Sequence, residues 1–233
     1  MSDIPRLDIQ KRADLREQTY YQLRKAILVG PIRPGTVLVQ EQLAEQLGIS
    51  RTPVRDALDR LASEGLVIRS PGGRIHVAPF SLEELNEKYA VRQALETLAL
   101  RLAAPNLPGQ LILRLKALVE EMKQAITENQ SQRVIQAGAA FHETIFIACG
   151  NTYLRQLLRT LNDSIRRYRR AAIDIPGRAA ETLREHECIW ERLAAGDIAA
   201  AERAMEEHIA RSQQRLEQDF QHSPPLAIEV QHR

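Results

Sequence analysis

The chain has 233 residues, 44% of them hydrophobic and 27% charged, with a net charge of +2 at pH 7. This balance excludes a disordered chain, and the lack of any apolar run near the roughly 20 residues of a bilayer span excludes a transmembrane helix; two modest domains fit the length without disulfides. Cys149 and Cys188 lack metal-like spacing and the charged N-terminus lacks a signal peptide's apolar stretch, so free thiols and a cytoplasmic location are expected.

In chain order, residues 16–29 place Tyr20, Leu23, Ile27 and Leu28 at helical spacing, and Gly30, Pro31, Pro34 and Gly35 then stop the helix. The segment QEQLAEQLGIS predicts a short helix with Leu43, Ala44 and Leu47 on one face, turned at Gly48. Ser50 stands as N-cap of a further helix, RTPVRDALDRLASEG, with Pro53 in the first turn, where its missing N–H costs nothing, and Gly65 as its stop. Two β-prone runs around Pro71-Gly72-Gly73 follow and predict a hairpin, the wing of a winged helix-turn-helix.

From Ser81 onward the period is helical nearly throughout, with helices expected at 81–103, 109–129, 131–148, 152–173, 178–195 and 198–220. Short breaks fall at Pro105 to Pro108, Gly150-Asn151, Pro176-Gly177 and Gly196-Asp197, so the six helices should form an antiparallel bundle. The fold class is therefore mainly α, with a winged helix-turn-helix domain over 12–79, an all-helical domain over 80–221 and a flexible tail over 222–233.

Residues 1–80 hold twelve Lys+Arg against nine Asp+Glu, and the rest hold twenty against twenty-one. That excess is too small to establish nucleic-acid binding, so the motif decides. In a helix-turn-helix the second helix enters the major groove by its N-terminal residues, here Ser50, Arg51, Thr52 and Arg55. Arg51 and Arg55 share a face, and each guanidinium can fork onto guanine or onto phosphate. Arg69, Gly73 and Arg74 belong to the wing, where a glycine turn lets the backbone approach DNA. A lone arginine pair is more often a solvated face; helix, glycine turn, capped arginine helix and glycine hairpin in this order favour DNA.

The stretch IRPGTVLVQEQLAEQLGISRTPVRDALDRLASEGLV resembles the N-terminal domain of GntR-family regulators, above all in SRTPVRDAL. The helical remainder, with AAFHETIFIACGN at 139–151, resembles the FCD effector domain of that family's FadR group in its shorter VanR-like form. The resemblance covers about residues 16–220. It implies a homodimer on an inverted-repeat, double-stranded DNA operator, a small carboxylate effector in the helical domain and, in many FCD domains, a divalent metal. The resembled metal motif is Asp-x-x-x-His, and the position four before His142 is Gly138.

Three histidines carry the metal reading. His142 shares its helix face with Ile135, Ile145 and Phe146, His186 with Leu183, Trp190 and Leu193, and His208 with Ala201, Ala204 and Met205. His186 and His208 lie about equally far on either side of the Gly196 turn, which levels them across an antiparallel helix pair at about 1.5 Å per residue. Three inward imidazoles suit Zn²⁺ or Ni²⁺ and leave positions open for water or an effector oxygen; singly, each is more often a hydrogen-bonded core histidine. Arg92 falls on the apolar face of Leu85 and Tyr89, either as a buried pair with Glu96 or as an effector anchor, and Arg169, the arginine of the 166–170 cluster nearest an apolar stripe, is a second candidate effector-binding residue. Two other functions compete: a metal-dependent enzyme, for which only Glu96 and Glu143 offer an acid or base and neither is aimed by helical spacing, and a ligand-independent DNA-binding protein, which would leave the histidines without purpose. The sequence therefore reads as a regulator, not an enzyme.

Overall fold

The computed structural model describes residues 12–28, 31–107, 109–172, 175 and 177–222. The expected breaks at Gly30, Pro108 and Pro176 and the expected tail beyond 222 lie outside the described residues. The chain divides into two compact units that meet between Pro79 and Phe80.

In the first unit, α1 (Arg12–Leu28) is followed by β1 (Val37–Leu38), α2 (Gln40–Leu47), α3 (Arg51–Ser63), β2 (Val67–Arg69) and β3 (Ile75–Val77). Gly48, at φ +66°, ends α2 and returns its N–H to Glu45, a left-handed turn that a side chain would strain. Ser50 has the extended backbone of an N-cap before α3, but its side chain makes no capping bond, contrary to the expectation from its residue type. The apolar period of α1 and α3 brings Tyr20, Leu23 and Ile27 against Val54, Leu58 and Leu61, all buried in one core with Val67, Ile75 and Val77. The wing is three-stranded, in the order β1-β3-β2, with both pairs antiparallel. The sequence reading had only the β2–β3 hairpin, because a two-residue strand beside Pro34-Gly35 is too short to display a period of two.

The second unit consists of α4 (Leu82–Ala103), a 3₁₀ turn (Ala104–Asn106), α5 (Gly109–Thr127), α6 (Ser131–Ala148), α7 (Thr152–Ala172), α8 (Arg178–Ala194) and α9 (Ile198–His222). Side chains cap three of these helices: Ser81 accepts from Glu84 N, Asn151 from Leu154 N and Asp197 from Ala200 N. One core runs through all six, including Leu85, Tyr89, Leu118, Met122, Phe141, Ile145, Ile189, Met205 and Ile209. α4 packs on α9, α6 and α7, while α8 packs on α9 and α5, so the inward faces of α6, α8 and α9 meet in the bundle interior. No helix among the described residues is long and apolar enough to cross a membrane.

Candidate functional site

α6, α8 and α9 each contribute one buried histidine to a single cluster. The ring centroids of His142 and His186 lie 5.1 Å apart, those of His142 and His208 5.1 Å, and those of His186 and His208 4.6 Å. One ligand atom from each ring fits within 4.8 Å of the other two. The three histidines named from sequence are thus brought together at one level of the bundle.

On every ring, Nδ1 meets an oxygen. His208 Nδ1 stands 2.8 Å from Glu185 Oε2, His186 Nδ1 2.8 Å from the Thr182 carbonyl, and His142 Nδ1 2.6 Å from Glu96 Oε2, the last a close approach without the alignment of a full hydrogen bond. An acceptor at Nδ1 holds the proton there and leaves Nε2 as the free lone pair, the arrangement that backs metal-binding histidines. His186 Nε2 is buried with no hydrogen-bond partner.

Burial pushes all three imidazoles down, His142 and His208 to about 4 and His186 to about 3, so each is neutral at pH 7. The carboxylates behind them remain ionised. Burial works against the charge of Glu185, but hydrogen bonds from Arg215 and His208 hold it down at about 2. Glu96, fully buried, is likewise opposed by burial and held well below the usual range by the Arg92 guanidinium.

The histidines line a cavity of about 70 Å³, partly open to solvent, whose lining also includes the apolar Val134, Ile135, Gly138 and Leu216 and the basic Arg169, Arg178 and Arg215. Arg178 pairs with Asp219 at 2.8 Å and Arg215 with Glu185 at 2.5 Å, whereas Arg169 donates to the neutral Asn162 Oδ1 at 3.0 Å. Burial and the nearby Arg92 press against the charge of Arg169. Arg92 does not line the cavity. Its Nε donates to Glu96 Oε1 at 2.7 Å, the buried i,i+4 pair that is one of its two readings and not the direct effector anchor that is the other, while Nη1 and Nη2 are buried without a hydrogen-bond partner. Gly138 adjoins the cluster, since a Cβ there would meet His186 Nε2 at 3.6 Å. Glu143 is instead paired with Arg159.

Sequence reasoning missed Glu185, Thr182, Arg178 and Arg215. Glu185 and Thr182 carried a usable signal, lying one before and four before His186, while the arginines looked like ordinary surface charge.

In the first unit, Ser50, Arg51, Thr52, Arg55, Arg69, Gly73 and Arg74 are all exposed, in and just before α3 and in the wing. Arg51 pairs with Glu41 at 2.9 Å, Arg55 stands 3.9 Å from Asp56 and Arg69 pairs with Asp59. Exposed pairs of this kind are weak enough to exchange for phosphate.

A winged helix-turn-helix unit followed by a helical bundle with a histidine-lined interior cavity is the architecture of a DNA-binding regulator. Comparison with known proteins places the chain more closely. Residues 15–77 match the gntR family of bacterial regulatory proteins and residues 87–211 match the FCD domain. Over 192 residues the chain is 30% identical to the HTH-type transcriptional regulator YdhC of Bacillus subtilis (strain 168), covering 82% of this chain and 86% of that protein. It is 31% identical over 151 residues to the HTH-type transcriptional regulator McbR of Escherichia coli (strain K12), covering 65% and 68%. The solved structure of E. coli McbR/YncC superposes with a TM-score of 0.74 at 27% identity, over 88% of this chain and 98% of that one. The chain belongs to the GntR family, in its FCD-containing FadR group, and is a DNA-binding transcriptional regulator, not an enzyme.

Proposed function

We propose that the helical unit is a metal-assisted sensor that sets the operator affinity of the winged-helix unit. His142, His186 and His208 hold one divalent transition ion, Zn²⁺ or Ni²⁺, and a small carboxylate effector occupies the adjoining cavity. The observation that carries this reading is that all three rings are neutral, buried and faced at Nδ1 by an oxygen, while His186 Nε2 has no partner. With neither an ion nor a cavity water on it, that buried nitrogen would be unsatisfied, at a cost of about 1–3 kcal/mol. When bound, the ion supplies a positive centre for an effector oxygen. Arg169, which also lines the cavity, orients the carboxylate, and Arg92, behind Glu96, adds positive potential.

On the DNA side, a homodimer presents two copies of α3 to an inverted repeat. Ser50, Arg51, Thr52 and Arg55 face the major groove, and Arg69, Gly73 and Arg74 face the adjacent minor groove or its phosphates. Arg55→Ala is expected to weaken operator binding by about 1–3 kcal/mol and relax base preference, as footprinting and anisotropy on a selected site would register. Normal binding by this variant removes the role of Arg55.

Metal analysis of tag-free protein tests the sensor. Stoichiometric Zn²⁺ or Ni²⁺ is expected in the wild type and none in His186→Ala or His208→Ala, both of which should retain basal DNA binding. A wild-type protein that holds no metal and takes up none at neutral pH overturns the reading.

A further inference from the structure

We infer that the last two turns of α7 relay occupancy of the histidine cavity to the start of α4, with Arg167 and Tyr168 as the positioning residues. This rests on the sensor reading above for what fills the cavity. It adds the route by which the filling is felt at the segment that leads from the DNA-binding unit.

Three consecutive residues make the connection. Arg169 lines the cavity. Its neighbours Arg167 and Tyr168 are buried and turn away from it, because successive helical residues point about 100° apart. The Tyr168 hydroxyl donates to Glu84 Oε2 at 2.8 Å and accepts from the Ser81 backbone N–H at 3.4 Å. Its ring lies 4.7 Å from that of Phe80, centroid to centroid. Arg167 Nη2 donates to the same Glu84 oxygen at 3.2 Å, and its guanidinium stands 5.4 Å from the Phe80 ring. Phe80 is the first residue of the helical unit after Pro79, and Ser81 is the N-cap of α4. The end of α7 therefore grips the residues at which the chain enters the bundle.

Near the cavity, α7 is tied to α4 a second time. Asn162 Nδ2 donates to Glu96 Oε1 at 3.3 Å while Asn162 Oδ1 accepts from Arg169 at 3.0 Å, and Glu96 reaches His142. An anion in the cavity competes with Asn162 for the Arg169 guanidinium, which gives the ligand a differential contact between two arrangements of α7. Arg167 and Tyr168 are buried and cannot absorb the change by swinging into solvent, so a shift of α7 is passed through their hydrogen bonds to the half-buried Glu84.

Backbone amide exchange over residues 82–88 of the full-length protein tests the relay in two arms. Without metal, Arg169→Gln and Asn162→Ala, each confirmed folded by circular dichroism, are expected to change exchange there severalfold, and adding Tyr168→Phe should abolish the change. With Zn²⁺ and acetate as probe, the wild type should show a severalfold change at 82–88, and Tyr168→Phe should bind Zn²⁺ equally well without it. Unchanged exchange in both metal-free variants, or the same change with and without the Tyr168 hydroxyl, overturns the relay. Zn²⁺ saturation that leaves 82–88 unmoved also overturns it. Failure to take up Zn²⁺ overturns the sensor reading instead, and the metal-free arm then decides the relay alone.

Discussion

At the residue scale, the charge of the histidine cluster sets what it can attract. Glu96 and Glu185 are already committed to Arg92 and Arg215, and the three imidazoles are neutral, so an ion held by them faces the cavity with its charge little reduced. Gly138→Asp should change this. The helical backbone there accepts a Cβ at ordinary contact distance from His186 Nε2, and the added carboxylate would sit beside the three rings. We expect tighter Zn²⁺ binding and a weaker gain in acetate affinity on metal loading, both read by calorimetry; unchanged Zn²⁺ affinity removes the placement. Glu185→Gln, which weakens the acceptor at His208 Nδ1, should lower metal affinity by about 10–100-fold. Tyr20 gives a separate test in the first unit. Burial and its hydrogen bond to Glu64 raise its phenol to about 12 from 10, so the folded form keeps a proton that the unfolded chain loses between those values. Stability linked to Tyr20 is therefore full below pH 10 and falls as pH climbs toward 12, and alkaline denaturation of Tyr20→Phe should lack this component of the slope.

At the element scale, the histidine helices and α3, the helix proposed to face DNA, were legible because strong amphipathic periods and Gly or Asn turns bounded them. α6, α8 and α9 begin and end within a few residues of the ranges expected from sequence. β1 was not legible, since its two residues take their conformation from pairing with β3: Val37 opposite His76 and Leu38 opposite Ile75. α3 is held from below by side chains with no exposure, so the exposed arginine face depends on a core it does not touch. Leu58→Ala, at a fully buried position against α1, should cost about 2–5 kcal/mol. Chemical denaturation followed in the first unit would reveal it, and a loss under 1 kcal/mol would mean that the site collapses freely.

At the scale of the whole molecule, the two units have separate cores. The buried core cluster of the first ends at Val77 and that of the second begins at Leu85. A fragment spanning residues 80–222 is therefore expected to fold alone and to sediment as a dimer, and a molten or monomeric fragment would count against the proposed dimerisation through this unit. Period, glycine turns and the order of motifs in the sequence were enough to establish two helical architectures in series and an inward histidine on each of three helices, because these follow from spacing along single elements. Tertiary structure decided which oxygens stand behind those histidines, that Arg169 lines the cavity while Arg92 is tied to Glu96 behind it, and that Tyr168 reaches Ser81 across 87 positions of chain. Those relations depend on the rotation and depth at which α4, α7, α8 and α9 pack against one another, and helical spacing within any one of them carries no record of it.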